Sequence, residues 1–158
     1  MSEHKVRGFE VVNPEHIKIQ MKTEEINLPV RGDAGSAGYD FFSNETITLN
    51  VGEKHLFWTN IKAYMQQNEL LEIHIRSSLG VKHGLVLSNG TGIIDSSYYG
   101  NPDNDGNIGI SITNRGEAPV MVKKGDRIAQ GIFKQYLVSD NDQILHSSRT
   151  GGFGSTKR

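Results

Sequence analysis

Three segments of the chain carry side chains suited to chemistry at a phosphate or a ring. The first, 89–100, reads Asn-Gly-Thr-Gly-Ile-Ile-Asp-Ser-Ser-Tyr-Tyr-Gly, an apolar strand that ends in a polar turn. Asp95 directly follows two apolar residues, so its carboxylate could act as a base that orients a water molecule. Tyr98 offers a flat, amphipathic wall for a sugar or a base. An aspartate that only caps a turn is the alternative interpretation of Asp95.

The second set of polar side chains could bind an anion. Arg76, Ser77 and Ser78 follow an apolar strand pattern, a trio that either binds phosphate or only ends a strand. In the tail 150–156, glycines allow consecutive amides to face one anion, and hydroxyls add donors. Phe153 has few apolar neighbours there, which suggests that it packs on a flat ring. An unstructured glycine-rich tail is the alternative.

Composition excludes several classes of function. The 158 residues suit one domain, and 17 basic against 18 acidic residues give a net charge of -1, without the basic excess typical of nucleic-acid binding. The chain has no cysteine, which excludes disulfides and thiolate metal sites, and its six histidines lack metal-ligand spacing. We see no secretory leader and no apolar run of ~18 residues, and therefore expect a cytoplasmic protein that binds neither nucleic acid nor membrane.

The pattern of apolar residues predicts the elements that must position these side chains. Apolar and polar residues alternate with a period of two, which is typical of strands with one solvated face, and helical periodicity is almost absent. One short helical turn is expected at 77–83, where Ser77 or Ser78 could cap the first amides. The predicted strands contain these apolar sets: Ile17 and Ile19; Ile47, Leu49 and Val51; Ile61, Ala63 and Met65; Leu71, Ile73 and Ile75; Ile108, Ile110 and Ile112.

Many short strands with glycine-rich turns predict an all-β sandwich, jelly roll or barrel. Two segments have the composition of mobile chain. One is the segment from Asn101 to Asn107, which contains only Asn, Pro, Asp and Gly. The other is the tail 147–158.

Taken together and in order, these segments resemble the five motifs of the all-β trimeric dUTPases. The motifs are Ala-Gly-Tyr-Asp-Phe (37–41), Arg-Ser-Ser-Leu-Gly (76–80), Gly-Ile-Ile-Asp-Ser-Ser-Tyr-Tyr-Gly (92–100), Gly-Asp-Arg-Ile-Ala-Gln (125–130) and Arg-Thr-Gly-Gly-Phe-Gly-Ser-Thr (149–156). The resemblance implies a jelly-roll domain, 1–146, with one short helix, and a lid, 147–158. It also implies a homotrimer with shared active sites and swapped or shared C-terminal tails.

The implied reaction is the hydrolysis of dUTP to dUMP and pyrophosphate, which lowers dUTP and supplies dUMP for dTMP synthesis. Asp95 would direct water in line at the α-phosphorus, and Gln130 would assist. Tyr98 would stack under the deoxyribose. Backbone groups of Ile93, Ile94 and Gly109, helped by Asn89, would hold the uracil. The side chains of Arg76, Ser77 and Ser78 would hold the phosphates.

The resemblance further implies a cofactor and a closing lid. Mg²⁺ would bridge the triphosphate, and Asp40 would contact it only through water. Phe153 would close over the uracil. The remaining binding residues implied for the lid are Arg149, Gly154, Ser155 and Thr156.

The sequence departs from the family pattern in four places. Ser97 stands where a second aspartate is usual, Arg149 is one residue closer to Phe153, and Lys157 replaces a glycine. The fourth departure is the insertion 101–107, which is either a tolerated surface loop or, as a hypothesis, a contact surface for another protein.

Two other functions fit the same resemblance. A dCTP deaminase shares the fold, but it would need an acid on the strand within 108–114, where this chain has none. A non-catalytic nucleotide-binding regulatory trimer is the other candidate. The presence of Asp95, Gln130 and Phe153 together favours catalysis.

Overall fold

The computed structural model describes residues 4–147, 149 and 151. Over this part of the chain it contains twelve strands and one α-helix, which confirms the predicted all-β class with one short helix. The helix, α1, spans Ser77–His83, and three-residue 3-10 turns lie at Pro14–His16, Thr23–Glu25 and Ser96–Tyr98. The strands are β1 (Gly8–Val11), β2 (Val30–Arg31), β3 (Tyr39–Phe42), β4 (Ile47–Leu49), β5 (Lys54–Trp58), β6 (Ile61–Tyr64), β7 (Glu69–Ile75), β8 (Leu85–Leu87), β9 (Gly92–Asp95), β10 (Gly109–Asn114), β11 (Val120–Val122) and β12 (Arg127–Gln135).

The strands of the described residues form four antiparallel sheets. The largest has the order β2-β3-β12-β7-β9, and a second has the order β5-β10-β8. The pairs β1-β6 and β4-β11 complete the set. Within the described residues, no helix has the length and apolar character that crossing a bilayer requires.

The longest strand, β12, organises the largest sheet. It pairs with β7 through seven positions, from Ala129 opposite Ile75 to Gln135 opposite Glu69. On its other side it pairs with β3, and the register shifts between Arg127 and Ala129. This strand therefore fixes the relative positions of the first, second and fourth motifs.

The buried core follows the predicted alternation. Leu71 and Ile73 of β7 and Ile110 and Ile112 of β10 are at most 2% exposed, and the residues between them face outward. Burying each such side chain contributes about 1.5–3 kcal/mol. The predicted strands at 47–51, 61–65, 71–75 and 108–112 are thus confirmed in their main parts.

The predicted helix is confirmed at Ser77–His83, but the predicted cap is wrong. Arg76 occupies the N-cap position, and no side chain caps the helix. The amides of Leu79 and Gly80 instead donate to the carbonyl of Arg76. The hydroxyls of Ser77 and Ser78 lie inside the first turn.

The predicted strand around Ile17 and Ile19 is also wrong, because a side chain takes the place of a partner strand. Asn60 accepts from the amide of Lys18 through Oδ1, and its Nδ2 donates to the carbonyl of Ile19, both at 2.9 Å. Asn60 is fully buried and has a positive φ of 59°. One amide side chain thereby replaces the ladder that the alternation predicted.

The segment 101–107 is packed into the protein, which corrects the expectation of a mobile surface loop. Asn101, Asn104, Asp105 and Asn107 are each at most 6% exposed. Their amide and carboxylate groups bond to one another, to the backbone of 98–107 and to the N-terminal segment. Composition indicated the turn correctly, but the turn-forming side chains point inward.

An ion pair fastens this loop to β6. Lys62 Nζ lies 2.7 Å from Asp105 Oδ2, and the two side chains are only 10% and 9% exposed. The same carboxylate oxygen accepts from the amide of Asn13 at 2.9 Å. Lys62 is therefore buried on a strand whose alternation would place it outside.

Substituting Lys62→Met should lower the free energy of unfolding by about 3 kcal/mol, because Asp105 would keep a buried charge without its counter-ion. Urea unfolding at pH 7 measures the loss. The double variant Lys62→Met with Asp105→Asn should recover most of it, since removing both charges removes the uncompensated one. Equal losses in the single and double variants would contradict the role assigned to the pair.

A second buried carboxylate joins the start of the described chain to β7. Arg7 donates to both oxygens of Glu69, with Nη2 2.7 Å from Oε2, and the amide of Gln66 donates to Oε1 at 2.9 Å. The Glu69 side chain is 5% exposed. The hydrogen bonds from Arg7 lower the pKa of Glu69, although burial opposes this.

Because the pKa of Glu69 is lower in the folded state than in the unfolded one, its stabilising contribution is complete above the unfolded value of ~4.3. It is lost as the pH falls through the lower folded pKa. Glu69→Gln should therefore reduce the Tm at pH 7 by about 5 °C. The difference from the parent should shrink below pH ~4 in thermal unfolding followed by circular dichroism. Glu24→Gln, at an exposed glutamate, is the matched control, and a Glu69→Gln difference independent of pH would refute the linkage.

Candidate functional site

A cavity of about 330 Å³ opens where the end of β8, the following turn, β9 and the start of β10 meet. Asn89, Ile93, Ile94 and Gly109 all line it, so the structure brings together the four residues predicted to hold a base. Apolar side chains dominate, and a few polar groups interrupt them. A small, mostly apolar pocket with convergent polar groups is typical of a site for one flat ring.

Two hydroxyls in the cavity wall were not predicted as site residues. Ser88 and Ser111 line the cavity, and their Oγ atoms lie 2.7 Å apart. Ser88 Oγ also lies 2.8 Å from Oγ1 of Thr113. Ser111 lies on β10, the strand on which the resemblance would place the acid of a deaminase. The period-two pattern of β10 puts Ser111 on the strand face that points away from the core. No pattern in the sequence predicted that Ser88 would lie beside it.

Asp95 ends β9 next to the cavity and pairs with a residue from the tail. Its Oδ2 lies 2.8 Å from Nη2 of Arg149, whose Nε donates to Ser97 Oγ at 3.1 Å. The Asp95 side chain is 55% exposed, whereas that of Arg149 is 11% exposed. Arg149 was predicted on the outer phosphates, and the structure places its guanidinium against the third motif.

Tyr98 follows in the 3-10 turn and is 7% exposed. Its hydroxyl donates to the carbonyl of Asn107 at 2.6 Å and accepts from Nδ2 of Asn104 at 2.9 Å. Burial raises the pKa of this hydroxyl, so it stays protonated as a donor. The guanidinium carbon of Arg149 lies 5.7 Å from the centre of the ring.

The fourth-motif residue Gln130 lies directly across the strand pair from Asp40. A Cβ on Gly38 would lie 2.4 Å from Gln130 Oε1, so any larger residue at this position would force the glutamine side chain to move. Arg127 Nη1 donates to Asp40 Oδ2 at 3.3 Å. The first and fourth motifs thus form one polar patch on β3 and β12.

Arg76 lies where β7 passes into α1, next to this patch. Its amide donates to the carbonyl of Ile128 at 3.3 Å, which holds the second motif against the fourth. Ser77 is exposed and Ser78 is half-buried in the first turn of α1. Arg76, Ser77 and Ser78 therefore lie at the same end of the sheet as Gln130.

The site residues form two groups that lie far apart within one chain. One is Asp95 beside the cavity, and the other is Gln130 with Asp40 and Arg76 at the polar patch. Asp95 pairs with Leu70, which pairs with Lys134, four residues along β12 from Gln130. Four residues of a strand span about 13 Å, and β9 lies two strands, or about 10 Å, from β12. Asp95 and Gln130 therefore face the same side of the sheet but cannot act on one phosphorus.

The donor groups fit a magnesium ion only in part. Within the described residues, no group of three or more His, Cys, Asp or Glu side chains could hold a metal ion. Asp40 offers one carboxylate, 15% exposed and already paired with Arg127. A single hard oxygen ligand suits Mg²⁺, which keeps several waters and binds phosphate oxygens. The residues fit an ion that arrives on a triphosphate.

Four of the predicted lid residues, Phe153, Gly154, Ser155 and Thr156, lie outside the described residues.

Comparison with known proteins agrees with this geometry. A family model described as dUTPase matches residues 24–157. The deoxyuridine 5'-triphosphate nucleotidohydrolase of Lactococcus lactis subsp. lactis (strain IL1403) is 45% identical over 153 residues, which cover 96% of this chain and 98% of the relative. Its counterpart in Clostridium novyi (strain NT) is 34% identical and covers 87% and 96%.

A solved structure, the dUTPase from Streptococcus mutans, superposes with a TM-score of 0.72 at 38% identity, covering 84% of this chain and 98% of that one. The fold, the match over residues 24–157 and the relatives that align along nearly their whole length agree. The chain belongs to the dUTPase family.

Proposed function

We propose that this protein hydrolyses dUTP to dUMP and pyrophosphate through in-line attack of water at the α-phosphorus. The observation that carries the proposal is the cavity between β9 and β10, with Asp95 at the end of the strand that lines it. A base inside the cavity would project its sugar toward Tyr98 and its phosphates beyond Asp95.

Selection of uracil follows from the fixed walls of this cavity. The backbone of Ile93, Ile94 and Gly109 offers donors and acceptors that cannot rotate, and Asn89 also lines the cavity. Cytosine presents a donor where uracil presents an acceptor. Each backbone group left unpaired by the wrong base costs about 1–3 kcal/mol, which favours uracil.

The reaction needs a positioned water and a neutralised triphosphate. In our proposal Asp95 orients the water, and Gln130 assists on the other side of the phosphorus. Arg76, Ser77 and Ser78 hold phosphate oxygens. Arg149 pairs with Asp95 and exchanges that carboxylate for a phosphate when substrate enters, which frees Asp95 for the water. Ser97 supports the guanidinium in place of a second acid.

Magnesium belongs to the proposal as a substrate-borne ion. When bound, Mg²⁺ neutralises the triphosphate and holds its reactive conformation. Asp40 would contact it through water, and the hydrogen bond from Arg127 fixes the orientation of the Asp40 carboxylate.

We infer a homotrimer from the separation of the two groups of site residues, because only a second copy can bring Gln130 and Arg76 to Asp95. The tail after β12 supports the same assembly. Leu137, Val138, Ile144 and Leu145 are between 66% and 97% exposed, and a neighbouring copy could cover them. Swapped or shared tails would then close the lid, 147–158, over a site built from two copies, with Phe153, Gly154, Ser155 and Thr156 on the substrate.

The proposed role is to lower dUTP and to supply dUMP for dTMP synthesis, in the cytoplasm. A deaminase is disfavoured because β10 places the Ser111 hydroxyl at the cavity and carries no acid. A regulatory trimer that binds nucleotide without turnover is the remaining alternative.

A protein partner at 101–107 also remains a hypothesis, limited to the exposed edge formed by Pro102 and Asp103. Because the rest of the loop is buried, substitution of these two residues tests the idea better than deletion. Unchanged binding to every partner protein after both substitutions would end it.

Intact protein should release pyrophosphate from dUTP and not from dCTP, dTTP or UTP at comparable concentration, and EDTA should suppress the release. Asp95→Asn should lower kcat by about a thousandfold, since it removes the group that orients and deprotonates the water. Asp140→Asn, at an exposed aspartate, is the matched control. Tight dUTP binding without turnover by the intact chain would instead support the regulatory trimer.

Shared sites predict complementation between two inactive variants. Asp95→Asn and Arg76→Ala chains, each inactive alone, should regain about a quarter of the parent activity when refolded together in equal amounts. A quarter is the chance that both chains forming one site supply their intact half. Each variant refolded with itself is the control, and an inactive mixture that is trimeric would refute the shared site.

A further inference from the structure

The inserted loop 101–107 makes two hydrogen bonds to the hydroxyl of Tyr98. The hydroxyl donates to the carbonyl of Asn107 and accepts from Nδ2 of Asn104. A buried phenol needs no more than one or two such partners, and here the loop supplies both. The Tyr98 ring, which is 7% exposed, is therefore held at its tip by residues outside the five motifs.

Asn104 is itself immobilised by the loop. Its Oδ1 accepts from Nδ2 of Asn101 at 2.8 Å and from the amide of Gly106 at 3.0 Å. Gly106 has a φ of 91°, and a Cβ there would lie 2.9 Å from the carbonyl oxygen of Tyr98. The loop thus lies in direct contact with the backbone that carries the tyrosine.

Asn107 is anchored to the body of the protein. It is fully buried, its Oδ1 accepts from the amide of Asn60, and its Nδ2 donates to the carbonyl of His16. The carbonyl that accepts from Tyr98 therefore has a fixed position relative to the core. Asn104 supplies the second contact that orients the hydroxyl toward it.

We propose that Asn104 is a positioning residue that sets discrimination at the sugar by fixing Tyr98 from the side away from the substrate. This inference rests on the proposed function, in which Tyr98 packs against the deoxyribose. A ring held at its tip cannot yield to an added 2′-hydroxyl, whereas a loosened ring can. Asn104 does not touch the substrate and acts only through Tyr98.

The test compares kcat/KM for dUTP and UTP in the parent protein and four variants. Asn104→Asp keeps the shape and the Oδ1 acceptor but removes the amide donor to Tyr98. Tyr98→Phe keeps the ring and removes its hydroxyl. The third protein carries both substitutions, and the fourth, Pro102→Ala, is the matched control at an exposed position of the same loop.

Asn104→Asp and Tyr98→Phe should each reduce the dUTP-to-UTP ratio of kcat/KM about tenfold, and the double variant should reduce it no further. Pro102→Ala should leave the ratio at the parent value. A role in stability alone would lower the Tm and affect both nucleotides equally, leaving the ratio unchanged.

Two results would overturn the proposal. An unchanged ratio in Tyr98→Phe would show that the hydroxyl does not govern discrimination, and it does so even if Asn104→Asp fails to fold. Additive effects in the double variant would show that Asn104 acts by another route. Failure of the proposed function is distinguished separately, because the intact chain would then not hydrolyse dUTP in the same assay.

Discussion

The antiparallel ladder between β12 and β7 is the interaction on which the rest of the structure depends. It joins Gln135 to Glu69 at one end and Ala129 to Ile75 at the other, with β3 and β9 attached on either side. Its strand β12 pairs Gln130 with Asp40 of β3, and its strand β7 pairs with β9 and so sets the height of Asp95. Because a sheet is stiff along its strands, it also keeps the two groups of site residues apart. In the proposed mechanism, this separation is the reason that a second copy completes each site.

A second feature is the use of polar side chains as internal structure around Tyr98. Asn60, Asn104 and Asn107 are almost completely buried, and within the described residues every buried side-chain nitrogen and oxygen has a hydrogen-bond partner. A hydrogen-bond network in which every group has a partner specifies one arrangement. Any shift would leave a buried polar group without a partner, at a cost of about 1–3 kcal/mol. An apolar filling would tolerate small displacements more easily. The polar filling is therefore suited to holding an aromatic ring in one position.

The electrostatics beside this network link it to the first strand. Tyr99, next to Tyr98, donates its hydroxyl to Glu10 of β1, and burial together with that carboxylate raises its pKa to about 12. Lys62 lies 5.1 Å from the centre of the Tyr99 ring and pairs with Asp105. The N-terminal strand, β6 and the inserted loop are thus joined by charged and polar contacts. These contacts connect segments that precede the family match to a residue of the third motif.

Sequence alone determined the all-β class, four of the five strands predicted from alternation, the helix at Ser77–His83 and the motif residues, because alternation and motif spacing are local properties that one segment carries by itself. It failed at Ile17 and at 101–107, where local pattern could not tell whether backbone groups meet a strand, water or a buried asparagine. The tertiary structure decided those partners, since they join residues distant in the chain: Asn60 and Asn107 are 47 positions apart, and Asn13 and Asp105 are 92 apart. It also decided that Arg149 meets Asp95 and that Gln130 does not. Only the folded sheet fixes such distances, because they depend on strand order and register.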